Sequence, residues 1–278
     1  MNNLISMDYL NKHLNDEAVV IIDCRFNLAE PEQGEKDYQQ DHIPGAFYLD
    51  LEKDLSSEVR AHGGRHPLPN RETFIKKLEE IGVNETKHVI AYDDQDGPFA
   101  ARLWWLLKYL GHPKVSVLNG NYSGWKALGY ATSKELPEID KTDFKAVIQS
   151  EMITDIDQVK EMMVKESYKL VDARAPERYS GEAEPMDKKA GHIPGAENYF
   201  WKETRTDYGE MKSTNELKEY FSSLDDSNTQ PVVYCGSGVT ASATVLALDN
   251  IGVNAKLYPG SWSDWASYDD NEVATGVE

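Results

Sequence analysis

Short apolar runs alternate with longer segments of helical periodicity along the chain. The β-branched runs at 19–23 and 88–92 predict buried strands, because apolar residues follow one another without interruption. Residues 98–110 and 241–250 instead repeat their apolar positions with the spacing of a helix. Strands that alternate with helices predict an α/β fold, in which a parallel sheet is flanked by helices.

The pattern occurs twice. The Asp-x-Arg of Asp23 and Arg25 recurs about 150 residues later, and so does the His-Ile-Pro-Gly-Ala that begins at His42. Repeats of solenoid proteins are roughly 20–50 residues long, so this period indicates duplicated domains. We predict a first domain at residues 1–130, a polar linker at 131–152 and a second domain at 153–278.

Charge and hydropathy exclude several classes of partner. The 278 residues carry a formal net charge of −19, which argues against nucleic acid and against anionic membranes. No apolar run reaches the roughly 18 residues of a membrane span, and the first residues lack the basic and apolar parts of a signal peptide. We therefore expect a cytoplasmic protein that does not bind membranes.

The chain contains only two cysteines, Cys24 and Cys235. A disulfide framework is therefore not expected, and no histidine or thiol cluster has the spacing of metal ligands, so we predict neither a metal nor a cofactor. Cys24 lies within the first apolar run and is interpreted as a packing residue.

Cys235 lies between a predicted strand and a predicted helix. The glycine-rich loop after it can turn successive backbone N–H groups inward, and the following helix adds the positive end of its dipole. Such surroundings stabilise a thiolate, which is the nucleophilic form of cysteine. The loop residues expected to surround the reacting sulfur and its substrate are Gly236, Ser237, Gly238, Val239 and Thr240.

Cysteine-dependent phosphatases also use an anion-binding loop, but their motif is Cys-x5-Arg. The arginine binds two phosphate oxygens through its planar fork. The sixth residue after Cys235 is Ala241, so phosphatase chemistry is disfavoured.

Cys-Gly-Ser-Gly-Val-Thr, from Cys235 to Thr240, resembles the active loop of the rhodanese superfamily, in the version typical of 3-mercaptopyruvate sulfurtransferases. Thiosulfate-using rhodaneses more often have Arg and Lys where Gly236 and Ser237 stand. The resemblance implies two tandem rhodanese-like domains and a persulfide on Cys235. The sulfur would come from a small anionic donor, 3-mercaptopyruvate, and pass to a thiol such as thioredoxin or to cyanide.

The two halves differ at the position of the nucleophile. Alignment of the apolar strand at 89–92 with that at 232–234 places Asp93 where the second half has Cys235. A carboxylate cannot carry a transferable sulfur. We therefore expect the first domain to be catalytically silent.

The resemblance also implies roles for residues outside the loop. Arg178 matches the family arginine that binds the carboxylate of the donor. Ser237, His66 and Glu52 match a serine, histidine and acidic relay that assists proton transfer.

One position departs from the pattern of the mercaptopyruvate enzymes. Where that group has a second arginine, this chain has Met186 or Asp187. Lys188 can supply a point charge there but not a planar fork. Arg65, beside His66, is a further candidate for binding the anion. The departure weakens the assignment of mercaptopyruvate as the preferred donor.

Two alternatives remain open. Within the same class, the donor would be thiosulfate. In a different class, the protein would carry or sense a persulfide on Cys235 without turnover.

Overall fold

The computed structural model describes residues 2–138, 140–163, 165, 167–224 and 228–277. Its contacts divide the chain into a first unit of residues 1–57, 68–149 and 206–211, and a second unit of residues 58–67, 150–205 and 212–278. The predicted linker is thus shared, with residues 131–149 in the first unit and 150–152 in the second. Ile139 of that linker lies outside the described residues.

The first unit contains a five-stranded parallel sheet in the order β1-β5-β4-β2-β3. Its strands are β1 Leu4–Ile5, β2 Val19–Asp23, β3 Ala46–Tyr48, β4 His88–Tyr92 and β5 Val115–Leu118. Its helices are α1 Met7–Lys12, α2 Gln33–Gln40, α3 Arg71–Glu80, α4 Pro98–Tyr109 and α5 Tyr122–Ala127.

The second unit contains a four-stranded parallel sheet in the order β7-β6-β8-β9. Its strands are β6 Tyr168–Asp172, β7 Ala196–Asn198, β8 Gln230–Tyr234 and β9 Lys256–Leu257. Its helices are α6 Ile156–Met162, α7 Pro176–Tyr179, α8 Thr214–Tyr220, α9 Thr240–Asn250 and α10 Ser261–Trp265, with 3₁₀ turns at Ser150–Met152 and Trp201–Thr204. The predicted α/β fold, with a parallel sheet and helices in each half, is confirmed.

Helices α4 and α9 follow interior strands of the two sheets. Ten of the twelve residues of α4 are buried, and so are eight of the eleven residues of α9. Buried residues follow one another without interruption at 98–107 and 241–248, as expected for helices that pack on every side. Each therefore fixes the loop that precedes it, and that loop lies at the carboxyl end of a parallel strand.

The repeated Asp-x-Arg pairs have a structural role. Arg25 Nη2 lies 2.7 Å from Asp23 Oδ2 in the first unit, and Arg174 Nη2 lies 2.6 Å from Asp172 Oδ2 in the second. All four side chains are buried. The guanidinium of Arg25 also stacks over the ring of Tyr122, at 4.0 Å. A buried arginine needs such partners, because an unpaired buried charge is costly.

Asp93 directly follows β4, at the position that corresponds to Cys235. Its carboxylate is buried and accepts four backbone N–H bonds, which come from Gln95 at 3.0 Å, Gly97 at 2.8 Å, Phe99 at 2.9 Å and Ala100 at 3.0 Å. The first unit therefore fills its anion-binding loop with a side chain of its own. These four N–H groups are therefore already occupied and are not free to bind another anion.

We expect Asp93→Ala to lower the free energy of unfolding by about 3 kcal/mol, because four buried N–H groups lose their acceptor. Asp93→Asn should cost less, since one amide oxygen still accepts. The measurement is urea unfolding followed by tryptophan fluorescence. Asp143→Ala, which removes an exposed carboxylate of the same unit, is the control. Equal stability of Asp93→Ala and this control would contradict the assigned role.

Candidate active site

Cys235 directly follows strand β8 and is the first residue of the loop before α9. Only 2% of the residue is exposed. Its Sγ accepts a hydrogen bond from the Gly238 N–H at 3.2 Å. Gly238 has a φ of +78°, and a Cβ atom there would lie 3.0 Å from Pro259 Cα. Glycine is therefore required for the loop to turn its N–H towards the sulfur. Val239 then caps α9, which begins at Thr240.

Helix α10 holds the other side of the loop. The Cys235 N–H donates to Ser261 Oγ at 3.1 Å, and the Cys235 carbonyl accepts from the Trp262 N–H at 2.9 Å. The Ser263 N–H donates to the Gly236 carbonyl at 2.9 Å. The backbone around the sulfur is thus bonded on both sides, which fixes the position of the thiol.

Residues 58–67 pack against the same helix, within the second unit. The Gly63 N–H donates to Asp264 Oδ1 at 2.7 Å, and the Arg65 N–H donates to Ser263 Oγ at 3.1 Å. Gly63 and Gly64 have φ values of +101° and +85°, so the chain makes a turn here that favours glycine. The turn places the next two side chains, Arg65 and His66, at the Cys235 loop.

His66 lies next to the loop serine. His66 Nδ1 and Ser237 Oγ are hydrogen-bonded at 2.7 Å, and the two residues are 6% and 7% exposed. The structure therefore brings together two of the three predicted relay residues. Glu52 belongs to the first unit, where it is exposed and its side chain makes no hydrogen bond or ion pair with another described residue.

Arg65 and Arg178 converge on the residue after the cysteine. A Cβ atom added at Gly236 would lie 2.8 Å from Arg65 Nη2 and 3.4 Å from Arg178 Nη1. Any side chain at this position would displace the two guanidinium groups. Arg65, from a distant part of the chain, thus lies beside Arg178 at Gly236, whereas position 187 itself holds an aspartate. Lys188 is instead exposed, on the wall of a cavity of about 290 Å³.

Two acidic residues hold these guanidinium groups. Glu184 accepts from Arg178 Nη2 at 2.7 Å and from Arg178 Nε at 3.2 Å. Asp187 forms ion pairs with Arg65 through Oδ1 and with Arg178 through Oδ2. Neither carboxylate was predicted as part of the site. The only sequence signal is their placement a few residues after Arg178.

Comparison with known proteins assigns the family. The rhodanese-like domain family matches residues 6–128 and 155–268. The chain belongs to the rhodanese family. A probable 3-mercaptopyruvate sulfurtransferase of Pseudomonas aeruginosa is 38% identical over 98% of both chains. A putative thiosulfate sulfurtransferase, SseB of Mycobacterium tuberculosis, is 35% identical over 94% of this chain and 92% of its own length.

A crystal structure of SseA from Escherichia coli, which represents the rhodanese fold of 3-mercaptopyruvate sulfotransferases, is also similar. It has a TM-score of 0.83 and 35% identity, over 95% of this chain and 100% of that chain. This rhodanese-family protein is therefore a sulfurtransferase with two rhodanese-like domains, as predicted.

Cys24 of this rhodanese-family chain lies in the core of the first unit. Its side chain is 1% exposed, and burial beside Asp23 and Asp93 raises the pKa of the thiol well above its ordinary value. A thiol held in its protonated form is a poor nucleophile. The prediction that Cys24 is a packing residue is confirmed.

The described part of the chain has no helix long and apolar enough to cross a membrane. Within the same residues, no group of three histidine, cysteine, aspartate or glutamate side chains is placed to bind a metal ion.

Glu184 links the rhodanese site to the pH dependence of folding. Burial alone would raise the pKa of this carboxyl, but the hydrogen bonds and charge of Arg178 outweigh burial and hold the pKa below its ordinary value. A lowered pKa in the folded state stabilises the protein above the unfolded-state pKa, which is about 4.3. This stabilisation is lost as the pH falls through the folded-state pKa.

We therefore expect Glu184→Gln to have a lower Tm than the wild type at pH 7, and the difference to shrink below about pH 4 as the wild-type carboxyl becomes protonated. The measurement is thermal unfolding from pH 7 to pH 3. Glu182→Gln, at an exposed position of the same loop, should match the wild type throughout. A Tm difference that does not change with pH would show that Glu184 does not act through its charge.

Proposed function

We propose that this protein transfers a sulfane sulfur from 3-mercaptopyruvate to a thiol acceptor or to cyanide, through a persulfide on Cys235. The observation that carries the proposal is the convergence of Arg65 and Arg178 on Gly236, directly beside a buried thiol. Two guanidinium groups suit a carboxylate, because each presents N–H donors in a planar fork. The names of the relatives from Pseudomonas aeruginosa and Escherichia coli support the same donor.

In the first step, the Cys235 thiolate attacks the sulfur of the donor. The new S–S bond forms as the C–S bond breaks, and the electron pair of the C–S bond remains on the carbon as the enolate of pyruvate. A proton from the thiol of the donor then reaches this carbon. Pyruvate leaves, and a deprotonated persulfide stays on Cys235.

Ser237 and His66 assist this proton transfer. The Ser237 hydroxyl follows the nucleophile by two residues and is hydrogen-bonded to a buried imidazole, so it can pass a proton between the donor and the imidazole. Glu52, the third predicted relay residue, enters the proposal only through the resemblance to the family.

The second step regenerates the enzyme. A thiolate or cyanide attacks the outer sulfur, the S–S bond breaks, and its electron pair returns to Cys235 as the thiolate. The Gly238 N–H that already donates to Sγ stabilises this returning charge. A dithiol protein such as thioredoxin, and a location in the cytoplasm, are part of the same proposal.

Thiosulfate is the alternative donor, and the Mycobacterium tuberculosis relative is named for it. Gly236 and Ser237 stand where thiosulfate-using enzymes more often have Arg and Lys, so the loop supplies no cationic side chain of its own. The acidic partners of Arg65 and Arg178 further reduce the positive charge available to a dianion.

We expect a higher kcat/KM for 3-mercaptopyruvate than for thiosulfate when cyanide is the acceptor in both assays. Cys235→Ser should abolish turnover of both donors, because the serine hydroxyl cannot form a persulfide. Cys24→Ser is the matched control and should keep the activity. A higher kcat/KM for thiosulfate would show that thiosulfate, and not 3-mercaptopyruvate, is the preferred donor. A persulfide on Cys235 without steady-state turnover would identify a carrier or sensor.

Ser237→Ala and His66→Asn should each lower kcat for 3-mercaptopyruvate by about 100-fold, the lower range for general acid–base catalysis. With thiosulfate the loss should be small, because sulfite leaves without needing a proton. Steady-state kinetics with both donors measures the difference, and the thiosulfate reaction reports whether the variant is folded. Equal losses with both donors would exclude a role in proton transfer.

A further inference from the structure

Asp187 occupies the space between the two arginines that face the catalytic loop. One of its carboxylate oxygens pairs with Arg65 Nη1, and the other lies 3.3 Å from Arg178 Nη2. The side chain of Asp187 is only 6% exposed. A carboxylate of the protein thus bridges two guanidinium groups in the manner of a bound anion.

The bridge leaves one corner of each guanidinium directed at the loop. A Cβ atom added at Gly236 would lie 2.8 Å from Arg65 Nη2, 3.4 Å from Arg178 Nη1 and 3.5 Å from Arg178 Nη2. The last of these nitrogens also pairs with Glu184 and Asp187. Neither Arg65 Nη2 nor Arg178 Nη1 makes a hydrogen bond with another described residue, and Arg65 Nε is buried without a partner among these residues. Asp187 therefore holds the two arginines side by side, and together with Glu184 it determines which nitrogens remain for a ligand.

The same bridge sets the charge of the site. Three guanidinium groups and three carboxylates form one connected set of ion pairs, so their formal charges cancel. The members are Arg65, Arg174, Arg178, Asp172, Glu184 and Asp187. A ligand with one carboxylate can bind two free N–H corners here. Because the set carries no surplus positive charge, each negative charge on a ligand is repelled by the nearby Asp187, and a dianion is repelled more strongly than a monoanion.

We propose that Asp187 determines the donor specificity of this sulfurtransferase, by positioning Arg65 and Arg178 for a monoanionic carboxylate and by disfavouring dianions such as thiosulfate. The proposal rests on the proposed function and names the residue that selects among sulfur donors. It assigns Asp187 no part in bond making or breaking.

The test compares Asp187→Asn, Asp187→Glu and the wild type with both donors. Asp187→Asn removes one unit of negative charge beside the ligand, so the ratio of kcat/KM for thiosulfate to that for 3-mercaptopyruvate should rise about tenfold. The rise should diminish at high ionic strength. Asp187→Glu, which keeps the charge, should keep the ratio. Glu182→Gln changes the net charge equally but at an exposed position, and should also leave the ratio unchanged.

A second measurement does not require turnover. Sulfate and pyruvate serve as probes, a dianion and a monoanion, for protection of Cys235 from alkylation by iodoacetamide. Sulfate should protect Asp187→Asn at concentrations about tenfold lower than the wild type, with little change for pyruvate. If the wild type fails to use 3-mercaptopyruvate but sulfate protection improves in Asp187→Asn, the donor assignment fails and the role of Asp187 stands. An unchanged ratio together with unchanged protection by sulfate would overturn the role of Asp187.

Discussion

The backbone N–H groups at the end of an interior parallel strand require an acceptor, and both units are built around this requirement. In the first unit the acceptor is the carboxylate of Asp93, which receives four N–H bonds. In the second unit the equivalent position holds Cys235, whose sulfur accepts from Gly238. One loop geometry thus serves two purposes. The first unit fills the loop with a permanent acceptor, and in the proposed function the sulfur of the second unit is the reacting group.

The charged groups around that sulfur are held in fixed positions, and their formal charges cancel. Arg65 and Arg178 approach the loop closely only because residue 236 has no side chain, and Glu184 and Asp187 fix their orientation. Because desolvation opposes the attraction, buried ion pairs add little net stability over apolar residues of the same shape, although removal of one partner alone is costly. Their value lies in geometry, since a paired guanidinium keeps its free N–H groups in a defined direction before any ligand arrives.

The sequence predicted the strands β2, β4 and β8, the helices that follow β4 and β8, and the duplication. The strands and helices depend on residues close together in the chain, and the duplication is visible as motifs that recur about 150 residues later. The placement of residues 58–67 was not predictable in the same way, because it depends on single hydrogen bonds from Gly63 and Arg65 to side chains about 200 positions later. Asp187 was recognised as a departure from the family, but its pairing with Arg65 depends on that same long-range packing.

The position of residues 58–67 has a consequence for the order in which the protein is made. His66 precedes its partner Ser237 by 171 residues, yet both belong to the second unit. A ribosome adds roughly 5–20 residues per second. On the order of 10 to 30 s therefore pass between the synthesis of His66 and the synthesis of the loop that it contacts. During this interval the double-glycine turn has no α10 to bind. The nascent chain thus carries residues 58–67 without their packing partner until Ser263 and Asp264 have been synthesised.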